Sequence, residues 1–246
     1  QAALIRSALR SIGLPATSMM PPGFPAADPD GLASFQAYDP ERARRLLSEA
    51  GYPDGKGFPS VDIWLRQETP VIRTAAEAVQ AMLRQNLNIN VGVNNVERKV
   101  FLDRMSSRRL TLGMIPYQYD YIDAGNLLTI WLSNGRHAWH NQRFEDLVLQ
   151  ANELVGEPER RITMYQDAEQ ILVGEAGGIF LWYILINQMW KPYIKGGALE
   201  PNRWGYRAWR GDLMSNLSST LYVTNDVLTG RAKPRSGSLW QRLLGN

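Results

Sequence analysis

Residues 61–115 read VDIWLRQETPVIRTAAEAVQAMLRQNLNINVGVNNVERKVFLDRMSSRRLTLGMI. Val61 to Leu65 alternates apolar and polar side chains, the period of a half-buried strand. From Pro70 to Leu87 the apolar residues Val71, Ala75, Ala78, Val79, Met82 and Leu83 recur at helical spacing, which predicts a long amphipathic helix. Ile89, Val91 and Val93 alternate again. Glu97 to Arg108 carries Val100, Phe101 and Met105 at helical intervals, and Leu110 to Ile115 reads as a third strand. Strand, helix, strand, helix, strand with short connections is the grammar of an α/β layer. The expected fold class is therefore α/β, a mixed sheet flanked by helices.

Upstream, Ala2 to Ile12 has helical spacing and stops at Gly13, while the proline-rich stretch from Pro15 to Leu32 predicts an extended surface loop. Asp39 is a good helix cap, Pro40 suits the first helical position, and Glu41 complements the first turn. The helix should run to about Ala50 before Gly51, with Ala43, Leu46, Leu47 and Ala50 as its apolar face. Downstream, Ala124 to Leu132 predicts a short helix. Phe144 to Val155 and Pro158 to Glu175 predict two consecutive helices, and Ile179 to Met189 predicts a fourth strand of the sheet. Beyond Lys191 the pattern weakens. Residues 1–195 are expected to form one lobe, 196–225 a return segment, and 226–246 a mobile basic tail with at most a short helix from Leu239 to Leu244.

The chain has 246 residues, 27 basic and 24 acidic side chains and a net charge of +3, too even for a nucleic-acid binder. It has no cysteine, which excludes disulfides and thiolate chemistry. No apolar run reaches the ~20 residues of a membrane span. His137 and His140 are the only histidines. Their spacing would suit a metal, but the sequence supplies no ligands to complete the site, so they read as loop residues and no cofactor is expected. A hydrolytic enzyme of the α/β class would need a nucleophile with a base in reach, and those two histidines are the only imidazoles.

Three segments carry a resemblance. Tyr38 to Pro59 reads YDPERARRLLSEAGYPDGKGFP. Arg143 to Ala151 reads RFEDLVLQA, preceded by Asn141, and Glu157 to Leu181 reads EPERRITMYQDAEQILVGEAGGIFL. Between them lie VQAMLRQNLNINVGVNNVERKVF and YQYDYIDAGNLL. Together, over about residues 1–212, they resemble the dipeptide-, oligopeptide- and nickel-binding family of ABC transporter solute-binding proteins. The resemblance implies the second, carboxy-terminal lobe of a two-lobed periplasmic fold, with the amino-terminal lobe outside this chain. It implies a monomeric receptor that captures peptides or similar small solutes and hands them to permease subunits. A sensing receptor of the same fold would use the same cleft. Two departures stand out: Ala124 where the family commonly has Pro, and Gly177-Gly178 where it has Pro, both expected to loosen the backbone.

The resemblance also nominates a site. A peptide ammonium needs a carboxylate held near it. Asp120 is the first candidate and Asp123 the second, with Tyr119, Tyr121 and Asn126 beside them. From spacing alone these residues suit a solvated turn as well as a ligand site, and the resemblance favours the ligand site. Trp182 and Tyr183 are further candidates. As neighbours on a strand they face opposite sides, so one of them belongs to the core.

Overall fold

The computed structural model describes residues 1–9, 13–66, 69–135, 137–185, 189–201 and 220–224. The chain divides into two compact units, Gln1–Leu185 and Ile186–Asn246. The first contains, in order, α1 (Ala2–Ser7), β1 (Leu14–Pro15), α2 (Pro29–Leu32), α3 (Pro40–Glu49), β2 (Val61–Arg66), α4 (Pro70–Leu87), β3 (Val91–Val96), α5 (Arg98–Ser106), β4 (Leu112–Met114), α6 (Ala124–Leu128), α7 (Gln142–Glu153), α8 (Pro158–Gly174) and β5 (Trp182–Tyr183). In the second unit β6 (Ile194–Lys195) pairs antiparallel with β7 (Tyr222–Val223). The predicted basic tail lies outside the described residues.

The quoted stretch folds as its periods predict. β2, β3 and β4 form a parallel sheet in the order β3-β2-β4, with Ile63 opposite Val93 on one side and Leu112 on the other. Ile63, Leu65 and Val91 point to the face covered by α4, where they bury Ile72 and Ala76. Ala75, the neighbouring position round the helix, packs against Leu4, Ile5 and Leu9, so α4 lies between the sheet and α1. Trp64 points to the opposite face of the sheet from Ile63 and Leu65. There the Arg104 guanidinium of α5 lies 4.3 Å over its ring. Phe101 of the same helix is fully buried against Gly113.

The α/β class is thus realised with its strands divided among separate sheets. Among the described residues, the fourth predicted strand contributes only β5, which pairs antiparallel with β1 through Leu14–Tyr183 and Pro15–Trp182. Its flanks Ile179, Ile184, Leu185 and Met189 are exposed, and β5 has a partner for only the two residues of β1.

Three local expectations are corrected. Helix α1 ends at Ser7, earlier than Ile12. The stretch from Pro15 to Leu32 is no surface loop: Ala16, Ser18, Met20, Phe24, Ala26 and Leu32 are all buried. Its apolar side chains fill the interior, and its backbone finds partners far away in sequence. Met20 N donates to Glu169 at 2.8 Å, and Tyr183 Oη donates to Met20 O at 2.8 Å. Helix α3 starts where Asp39 and Pro40 predict, with Asp39 Oδ1 accepting Arg42 N at 2.9 Å. Its expected apolar face, however, buries no residue, and Leu46 is 53% exposed.

Candidate functional site

The chain leaves the carboxy-terminal end of β4 at Met114 and runs through Tyr117, Tyr119, Asp120 and Tyr121 into α6. In parallel α/β layers this strand end is where ligands are met. Two sets of contacts shape the loop. Asn126, in the first turn of α6, holds Asp120 twice: its Oδ1 accepts Asp120 N at 2.9 Å and its Nδ2 donates to Asp120 Oδ2 at 3.4 Å. The Asp120 carboxylate is left exposed beside exposed Tyr121 and Tyr117. Though Tyr117 is exposed, partial desolvation, and after it the charges of Asp120 and Tyr121, raise its pKa. Tyr117 was not among the sequence candidates. Its only signal was its place two residues before Tyr119 in an alternating run of tyrosines.

Tyr119 turns inward. Its ring lies 5.1 Å from that of Phe24, in the buried proline-rich segment, and burial raises its pKa. This contact ties the loop to the segment that Glu169 and Tyr183 hold from below.

Asp123 takes internal partners. Its Oδ1 caps α6 by accepting Gly125 N at 2.8 Å. Arg161 of α8 grips both of its oxygens, at 2.7 and 2.8 Å, in a fork with each side chain about a quarter exposed. Arg161 Nε also donates to Ala151 O on α7 at 3.0 Å, and its Nη2 to Tyr165 Oη at 2.8 Å. Tyr165 Oη then donates to Asn152 Oδ1 at 2.7 Å. The hydrogen bond to Asp123 raises the Arg161 pKa. Burial, only partly opposed by Arg161, pushes Tyr165 up to about 12. Gly125 sits so close to this network that a Cβ on it would lie 2.7 Å from Tyr165 Oη. Only glycine lets α6 rest there.

Trp182 and Tyr183 lie in the β1–β5 pair. Trp182 joins both apolar clusters that flank α4. Tyr183 bonds Ser18 and Met20. Their described contacts are with the proline-rich segment and the core, whereas Asp120, Asn126, Tyr117 and Tyr121 gather at the loop.

The two histidines point to separate partners. His140 Nδ1 meets Glu145 Oε1 at 2.8 Å, and His137 Nε2 meets Ile130 O. Burial pushes Glu145 up, but the hydrogen bonds from His140 and Ser133 outweigh it and its pKa is lowered. No cluster of three or more metal-ligating side chains occurs among the described residues. Gly177 and Gly178, expected to loosen the backbone, instead admit two rings: a Cβ on either would lie 2.7 Å from Trp139 and Trp131 respectively. Ala124 occupies the first position of α6 after its Asp123 cap, a position that tolerates either residue. No helix among the described residues is long and apolar enough to cross a membrane.

With this geometry in hand, likeness to known proteins becomes informative. The family described as "Bacterial extracellular solute-binding proteins, family 5 Middle" matches residues 1–139. The chain is 27% identical over 189 residues to the periplasmic oligopeptide-binding protein OppA of Salmonella typhimurium, covering 74% of this chain and 34% of that one. It is 27% identical over 223 residues to heme-binding protein A of Haemophilus influenzae, covering 85% and 38%. Its fold matches the solved Escherichia coli murein tripeptide binding protein MppA with a TM-score of 0.69 and 21% identity, over 90% of this chain and 42% of that one. The chain spans about a third of the length of these curated relatives, and its fold is that of one lobe of the periplasmic peptide-binding architecture. Family members are binding proteins rather than enzymes. Since the match takes in 139 of the 246 residues, the chain belongs to the bacterial extracellular solute-binding proteins, family 5.

Proposed function

We propose that this chain is the ligand-gripping lobe of the substrate-binding component of an ABC importer. It captures peptides or similar small solutes in the periplasm and delivers them to permease subunits. The observation that carries the reading is the exposed Asp120 carboxylate, held by Asn126 and flanked by Tyr117 and Tyr121 at the end of a parallel strand. A fixed anion among aromatic walls suits a ligand ammonium followed by side chains of varied shape. Relatives named for oligopeptide and dipeptide binding support the same ligand class. So does a solved dipeptide-binding protein from a Pseudoalteromonas species in complex with Met-Leu. Asp123 braces the loop, and Tyr119 anchors it. Trp182 and Tyr183 remain candidates for the ligand side only where the β1–β5 pair leaves their rings uncovered.

The test is titration calorimetry on the full-length protein with tri-alanine and N-acetyl-tri-alanine. Asp120→Asn keeps the size and removes the charge, and it should weaken tri-alanine binding by about 2–5 kcal/mol. The acetylated peptide should bind the wild type poorly and be nearly indifferent to the substitution. Equal affinities for the two peptides, or no loss in Asp120→Asn, would remove Asp120 from the site. One observation favours a second reading, a non-peptide solute: the similarity to heme-binding protein A extends over more of the chain than that to OppA. Mass spectrometry of a co-purified ligand separates the two.

A further inference from the structure

We infer that Arg161 is a positioning residue for ligand binding, holding Asp120 in place from α8 through Asp123 and Asn126. The inference rests on the reading of Asp120 as the ammonium site and adds to it a residue far from the loop in sequence.

The argument follows the contacts. Asp120 has its backbone N–H and its carboxylate both bonded to Asn126. Asn126 belongs to α6, a helix of five residues that cannot fix its own position. Leu127 and Leu128 bury one side of α6, and its cap orients it: Asp123 accepts Gly125 N on one side and the Arg161 fork on the other. Arg161 is in turn aimed from two helices, by Ala151 O on α7 and by Tyr165 Oη on its own helix, with Asn152 orienting Tyr165. Thr129 at the far end of α6 closes the frame, since its hydroxyl donates to Gly125 O and accepts from Asn152. A planar fork sets the angle of its carboxylate as well as its distance, which a point charge does not. The helix pair α7–α8 therefore fixes where Asn126, and with it Asp120, stands. A stabilising ion pair alone would need neither the fork nor the aimed second partners.

The experiment uses the full-length protein with tri-alanine and its acetylated form as probes. Arg161→Met should lower tri-alanine affinity by about tenfold, and Arg161→Lys, which keeps the charge and loses the fork, by an intermediate factor. Arg160→Gln, which alters only the exposed pair with Glu157, should leave affinity unchanged. In an Asp120→Asn background Arg161→Met should cost nothing further, because its effect passes through Asp120. Amide exchange at Asp120 N–H should speed up in Arg161→Lys, a variant chosen because it stays folded if the Met variant does not. Full additivity of the two substitutions, or an equal loss for the acetylated peptide, overturns the proposal. So does unchanged exchange at Asp120. If Asp120→Asn binds tri-alanine like the wild type, the ammonium reading falls and the ligand role of Arg161 falls with it. The exchange measurement still decides whether Arg161 positions the loop.

Discussion

The sheet layer and the α6 clamp hold their parts in opposite ways. In the layer, α4 packs between the β3-β2-β4 sheet and α1 through Ile63, Leu65, Ile72, Ala75, Ala76 and Val91. At the clamp, a short helix that buries Leu127 and Leu128 is also oriented by a carboxylate, a guanidinium, a phenol and an amide within 3.0 Å of their partners. Apolar burial has no direction, so it makes a stable slab but cannot aim a group. Directed hydrogen bonds contribute little net stability each, but they set position. The slab supplies the strand end, and the clamp decides where the carboxylate beside it points.

The largest expected effect falls on the slab. Leu65 is fully buried in the cluster beneath α4. Leu65→Ala removes apolar area and leaves a cavity, at about 3–5 kcal/mol. Native-state hydrogen exchange of the β2 and β3 amides should show that loss, with the amides of α6 changing far less. A loss below 1 kcal/mol, or one that is equal in α6, breaks the contrast between the two regions.

An intermediate effect should appear where the two kinds of contact meet. Glu169 is fully buried on α8 and accepts Met20 N from the proline-rich segment. Burial raises its pKa to about 7; the hydrogen bond from Met20 N opposes this, and the charge of Asp28 adds to it. The folded protein thus holds this proton more tightly than the unfolded chain does. The associated stability is fully present below the unfolded pKa near 4.5 and is lost as pH rises through about 7. The amount is on the order of 3 kcal/mol. Unfolding free energy followed from pH 4 to 9 should fall across that window in the wild type, and Glu169→Gln should flatten the fall. A slope unchanged in Glu169→Gln assigns the window to other groups.

How much of this was legible follows the same division. Strands β2, β3 and β4 and helix α4 are repeated periods, and their boundaries come close to where alternation and helical spacing place them. Asn141 caps α7 from its place before the Arg143 segment, and Asp39 with Pro40 starts α3. Contacts between distant residues are not written in any period. Arg161 lies 38 residues from Asp123, and Glu169 lies 149 residues from Met20. A reading by composition therefore takes Pro15 to Leu32 for surface, since five prolines look the same whether or not a buried carboxylate awaits their neighbours. Asp120 and Asn126 stand in the sequence as neighbours in one acidic, aromatic loop. That Asn126 holds Asp120 on two sides, and that Asp123 faces inward, depends on where α8 packs.

The smallest effect sharpens the comparison by removing burial from it. Asp39 and Asp123 are both helix caps, and each accepts a backbone N–H of the turn it starts. Asp123 is gripped by Arg161 and caps a helix with four buried residues. Asp39 stands in the open and caps a helix with none. Losing the Asp39 carboxylate removes one hydrogen bond and a favourable charge at the helix dipole, about 1 kcal/mol. No apolar contact goes with it, so Asp39→Ala should speed exchange in the first turn of α3, Arg42 N–H foremost. The β2 amides and the affinity for tri-alanine should be unchanged. The paired variant Asp123→Ala should cost more, because it leaves a partly buried guanidinium without its partner and frees α6. If the two caps cost the same, the Arg161 fork adds nothing beyond an ordinary cap. If Asp39→Ala also weakens peptide binding, the exposed helix α3 is coupled to the loop by a route that none of these contacts provides.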